Sequence, residues 1–136
     1  MQQRDQHLLA LRPTIAAAVV NDTMTAEERF QNQTLRPILK GQNSLLLSVF
    51  RLHIKLRKNT FSEKSEQEQH QYIAQALQKD TSLRGMLKGL VIGQFTEDEF
   101  LRYAPATRTL DRRMLQLIAQ RLRSQLPALA LPGEQT

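Results

Sequence analysis

Residues 29–59 read RFQNQTLRPILKGQNSLLLSVFRLHIKLRKN. The stretch holds a proline, a glycine and no acidic residue, yet it carries the strongest helical pattern in the chain. Leu35, Ile38, Gln42, Leu45, Val49, Leu52 and Leu56 recur at alternating spacings of three and four, which lines one face of an α-helix. Leu39 and Leu46 widen that stripe, and Gln42 is its single polar member. Pro37 is tolerated if a helix starts just before it, because the first turn has no use for its missing N–H. The spacing therefore predicts a long central helix over about 35–58, with Thr34 as its N-cap. A second apolar row, Leu47, Phe50 and Ile54, predicts burial on two sides. Between the rows, Gly41, Ser44 and Ser48 run on into Arg51, Lys55 and Lys58. The small half predicts a closely packed neighbouring helix.

The elements on either side follow from local signals. Residues 3–11 predict a short helix that stops before Pro13, and a connector fills 13–24. TAEE at 25–28 and TEDE at 96–99 are capping boxes, each opening a short helix. Ser62 or Ser65 starts a helix ending near Lys79, with Tyr72, Ile73, Ala76 and Leu77 on its apolar face. Asp80, Thr81 and Ser82 supply a further cap. Residues 82–94 predict a helix whose Gly85, Gly89 and Gly93 form a face for close packing, although GLVIGQF alone could be read as a strand. After Pro105, the buried stripe of the last long helix is Leu110, Met114, Leu117, Ile118, Leu122 and Leu126. The expected fold is all-α, a single-domain bundle of about six helices around the central one. The domain spans 1–126, and 127–136 form a loose tail.

The chain has 136 residues, 40% of them hydrophobic and 24% charged. That is enough apolar material for a core in one ordinary domain. There is no cysteine, so disulfides and thiolate metal sites are excluded. The apolar run at 15–20 is too short for a signal peptide or a membrane span, and a cytoplasmic protein without membrane attachment is expected.

The net charge of +6 points toward anionic partners. No Asp or Glu lies between Glu28 and Glu63, while Arg29, Arg36, Lys40, Arg51, Lys55, Arg57 and Lys58 do. A second basic cluster holds Arg108, Arg112, Arg113, Arg121 and Arg123. Arg51, Lys55, Lys58, Arg108 and Arg112 are thus the candidate anion-binding residues.

Three stretches, FQNQTLRPILKGQN, GLVIGQFTEDEF and LIAQRLRSQL, resemble a small, uncharacterised, all-helical bacterial family over residues 8–126. Members of that family tend to carry a glyoxalase label. The resemblance implies an all-helical fold and brings no catalytic motif to particular residues. The label itself conflicts with the residues present. Glyoxalases of the main types build metal sites from His and carboxylates on β-rich folds, and this chain has three histidines and no His-x-His.

His7 reads as exposed and His53 as a hydrogen-bonded core histidine bordering the main stripe. Glu66 and His70 have the spacing of a surface ion pair. Glu97, Asp98 and Glu99 sit where a helix start favours negative charge. The spaced glycines lack the rest of a phosphate loop, and no cofactor or metal is implied. Three functions remain. The first is a non-enzymatic helical module that binds a protein partner or a second copy of itself as a homodimer. The second is a binder of nucleic acid or another polyanion. The third is an enzyme with a polar pocket near Gln42, Asn43 and His53. Few aromatics are free to stack on bases, and no nucleophile–base pair is apparent, so the first is preferred.

Overall fold

The computed structural model describes residues 3–15, 20–58 and 60–130. Helix α1 (Gln3–Leu11) is followed by α2 (Ala26–Phe30), a π-helical stretch (Gln31–Leu35), α3 (Arg36–Gly41) and α4 (Asn43–Leu56). Then come α5 (Glu66–Lys79), α6 (Thr81–Ile92), α7 (Glu97–Tyr103), α8 (Thr107–Arg123) and α9 (Leu126–Leu129). The fold is all-α, and no strand occurs among the described residues.

The central helix is longer than its apolar stripe indicates. It runs almost unbroken from Ala26 to Leu56, and Thr34 lies inside it rather than capping it. A proline in a helix interior removes one hydrogen bond and its ring clashes with the carbonyl four residues back. Here the turn before Pro37 is widened, so that Arg36 N–H reaches back five residues to the Gln31 carbonyl. Such a π-bulge absorbs the misfit without ending the helix. The run is broken once, at Gln42, with φ −96° and ψ 5°. Lys58 closes α4 in the left-handed region, φ 51°.

The local start signals act as their chemistry requires. Thr25, Ser65 and Thr96 each accept from the backbone N–H three residues on, and Glu28, Glu68 and Glu99 reach back to the cap. Asp80 caps α6 through Leu83 N–H. GLVIGQF is helix and turn.

Helix α6 packs against α4, α5 and α8, and α5 also packs against α8. Their shared core includes Leu46, Phe50, Ile73, Leu87, Val91, Met114 and Ile118, each at most 1% exposed. Phe50, Phe61 and Tyr72 meet edge-on within it.

Two further expectations are corrected. The tail is not loose from residue 127 onward: α9 packs against α4, Leu129 is buried, and Ala128 accepts from Arg51. Its last six residues lie outside the described ones. The glycine face of α6 is not packed either. Gly85 and Gly89 are exposed, and a methyl group built on either meets no atom within 4 Å. Ser44 and Ser48 are likewise exposed, and Gly41 lies instead beside the ring of Pro13.

Candidate functional site

The two apolar faces of α4 have opposite fates. Leu46, Leu47 and Phe50 are buried, with Ile54 packed beside them. The predicted main stripe is buried at its start, through Leu35, Ile38 and Leu39, and on its edge at Leu46. Beyond Gln42 it emerges: Leu45 is 46% exposed, Leu52 48% and Leu56 71%. The sequence shows which residues share a face, and the packing of α4 against α6, α8 and α9 decides which face the core covers.

The exposed stripe is one wall of a groove. Val49, Leu52 and Leu56 face Leu83 and Met86 of α6 across a cleft of about 140 Å³, and Met86 is itself 53% exposed. Gly85 and Gly89 continue the exposed side of α6 around Met86. At the C-terminal end of the groove Asp80 pairs with Arg57 at 2.5 Å and faces His53 Nδ1 at 3.5 Å. Burial holds His53 below its ordinary value, Asp80 opposes that, and Arg57 adds to it. The backbone N–H of Leu83 holds the Asp80 carboxyl below its ordinary value, with Arg57 and His53 acting the same way against partial burial. Lys55, Lys58 and Lys79 are exposed around this end.

The other predicted site residues are scattered. Arg51 ties α4 to α9 through the Ala128 carbonyl and also donates to Ser48. Arg108 and Arg112 are exposed on α8. Gln42, Asn43 and His53 do not converge. Gln42 Nε2 donates to the Leu90 carbonyl, and Asn43 exchanges hydrogen bonds with Gln125. His53 lies about three turns along α4, at Asp80. His7 is exposed. His70 forms no surface pair with Glu66, and its Nε2 is buried without a partner. Among the described residues no three His, Asp or Glu side chains converge as a metal site, and no helix is long and apolar enough to cross a membrane.

Two arrangements had no local signal in the sequence. Glu99, expected at a helix start, is there and is also buried. Its Oε2 accepts from Arg12 Nη1 at 2.6 Å and Thr34 at 3.0 Å, and its Oε1 from Arg12 Nη2 and Thr96 N–H, both at 2.9 Å. Burial pushes this carboxyl up, but the bonds from Arg12 and Thr96, the Arg12 charge and Thr34 outweigh it and hold it below its ordinary value. The second arrangement brings together Arg36 and Arg121, 85 positions apart, in a cleft between α3 and α8.

No family model matches the chain, and neither a curated protein nor a solved structure is significantly similar to it.

Proposed function

We propose that the protein is a non-enzymatic interaction module whose α4–α6 groove receives an amphipathic helix from a protein partner, with acidic residues flanking that helix's apolar positions. The observation that carries this reading is the exposed stripe of Leu45, Leu52, Leu56 and Met86. Contiguous exposed apolar surface of this kind marks interaction sites. Burying a leucine or methionine completely contributes about 1.5–3 kcal/mol, and these four are roughly half exposed to begin with, so an occupant gains about half of that increment from each. The spacing of Leu45, Val49, Leu52 and Leu56 is itself helical, as in helix-in-groove recognition. Gly85 and Gly89 leave room beside Met86 for a backbone to approach.

Charge selects the occupant. Among the described residues, Lys55, Lys58 and Lys79 meet no carboxylate, and Arg57 largely neutralises Asp80. The groove end is therefore net positive. A second copy would bring the same sign of charge to the interface, whereas acidic flanks complement it.

The test is fluorescence anisotropy with two labelled synthetic amphipathic helices of identical leucine spacing, one flanked by Glu and one by Lys. The Glu peptide binds, and the Lys peptide binds at least about tenfold more weakly, since rim charges steer and discriminate partners. Leu52→Glu weakens the Glu peptide by about tenfold or more. Equal affinity for the two peptides, or indifference to Leu52→Glu, contradicts the proposal. A dimer in sedimentation equilibrium that Leu52→Glu dissolves would assign the groove to a second copy. Vesicle binding lost in the same variant would assign it to a lipid surface. Either result would replace the present reading.

A further inference from the structure

A cleft of about 270 Å³ between α3 and α8 is lined by Arg36, Leu39, Leu117, Gln120, Arg121 and Ser124. It shares no residue with the α4–α6 groove. Two guanidiniums border it, and each is held by a neutral amide. Arg36 Nε donates to Asn32 Oδ1 at 3.1 Å, and Arg121 Nη1 donates to Asn43 Oδ1 at 3.2 Å. Neither has a carboxylate within ion-pair distance among the described residues. A guanidinium carries five N–H donors in a rigid fork, so most of this donor capacity is uncommitted.

The setting makes the pair costly in the absence of a counter-charge. Arg121 is half-buried, and burial followed by the nearby positive charge of Arg36 lowers its affinity for its proton. Leu39 and Leu117 form apolar walls, where unscreened like charges repel more strongly than in water. A protein that needed only packing here could use apolar side chains. Asn43 is fixed by its reciprocal bonds with Gln125, so Arg121 is oriented without being neutralised. Asn32 orients Arg36 in the same way from the π-helical turn. Positioned, desolvated and unpaired guanidiniums are the usual means of recognising a planar or tetrahedral oxyanion through paired N–H···O bonds.

We infer that this cleft is a binding site for a phosphate-class dianion, held jointly by Arg36 and Arg121. Two fixed positive charges match two negative charges better than one, which favours a phosphate monoester or free phosphate over a carboxylate. Gln120 at the rim offers a neutral amide donor. The Ser124 hydroxyl is already donated to the Arg121 carbonyl at 2.8 Å, so it contributes an acceptor and shapes the wall.

The experiment is thermal denaturation and ¹⁵N-detected titration of the full chain with inorganic phosphate, phenyl phosphate, a phosphoserine peptide, acetate and mixed-sequence duplex DNA, with chloride matching the ionic strength. A ligand that binds only the folded state raises the melting temperature with its concentration. Phosphate or a phosphomonoester is expected to raise it beyond the chloride control and to shift the amide signals of Leu117, Gln120 and Arg121. Arg36→Gln weakens this binding by about 10- to 100-fold, as expected for losing charge-assisted hydrogen bonds. Arg121→Gln is expected to do the same. If it fails to fold, Arg36→Gln carries the test, because Arg36 is held by a single amide. Tighter binding of the phosphoserine peptide than of the small phosphates names a partner's phosphorylated side chain as the source, and the reverse names a free small molecule. The inference is overturned if no phosphate acts beyond chloride, if binding survives Arg36→Gln, if acetate binds as well as phosphate, or if DNA alone binds through these arginines.

Discussion

Arg12→Met removes the cation that holds Glu99 while keeping an unbranched apolar stem in its place. The ion pair is buried, with side-chain exposures of 10% for Arg12 and 7% for Glu99. The change deletes two charge-assisted bonds to Glu99 and a third to the Gln94 carbonyl. Glu99 is left in place with only Thr34 and the Thr96 N–H as donors. Stranding one partner of a buried pair costs about 3–5 kcal/mol, a large part of a total stability of about 5–15 kcal/mol. Urea unfolding followed by circular dichroism at neutral pH should show a loss of that size. The pH dependence provides a second check. In the wild type the folded-state pKa of Glu99 lies below its ordinary value, so its contribution is complete above the unfolded value and is lost as pH falls through the folded one. Without Arg12 two of the influences that lower the Glu99 pKa are gone while its burial remains, so the folded value rises relative to the wild type. The penalty then shrinks as pH drops from about 7 toward about 5, because the buried carboxyl becomes neutral. Adding Glu99→Gln, which keeps the capping-box bond without the charge, should recover part of the loss near neutral pH. A loss under about 1 kcal/mol, or one that does not change with pH, would refute the reasoning.

The two faces of α4 should respond differently to truncation: Phe50→Ala costs about 3–5 kcal/mol, while Leu56→Ala stays within about 0.5 kcal/mol, both read from urea unfolding. Gly89→Ala should stabilise by about 0.5–1 kcal/mol, because a helix-interior glycine is unfavourable and a methyl there meets nothing within 4 Å; a fall in melting temperature would show that the glycine face is packed after all. An NMR titration should place His53 below the ordinary histidine value of about 6.5, and Asp80→Asn should lower it further by removing the one contribution that raises it. Because the folded pKa is the lower one, this group makes the protein less stable as pH falls below about 6.5.

Short-range chemistry was the most legible part of the sequence. The two capping boxes at 25–28 and 96–99, the stop before Pro13 and the stripe of Leu110, Met114, Ile118 and Leu122 follow from short-range signals, and the structure has them there, whereas the capping box of Ser65 and Glu68 went unread although its spacing is the same. Periodicity alone could not tell which of two apolar faces on α4 the core would cover. Leu47 and Phe50 went inward, and Leu52 and Leu56 outward, while the Gln42 side chain ties the helix to the Leu90 carbonyl. Thr34 looked like a cap because the local rule for Pro37 favours a helix start, but a π-bulge let the helix continue. Glycines four apart suggest a packed face equally well whether or not a neighbour arrives. Arg12 with Glu99 and Arg36 with Arg121 are each joined across more than 80 positions, and no local pattern encodes such a pairing.

The central claim is that the exposed α4–α6 groove is a docking face, and the measurement that tests it most directly is a chemical-shift map. ¹⁵N-labelled protein is titrated with the unlabelled Glu-flanked amphipathic peptide, and every amide is followed. The account predicts perturbations at Leu45, Val49, Leu52 and Leu56 together with Ser82, Met86 and Gly89, while the Arg36–Arg121 cleft stays silent. Perturbations centred on α8, or none anywhere at saturating peptide, would contradict it.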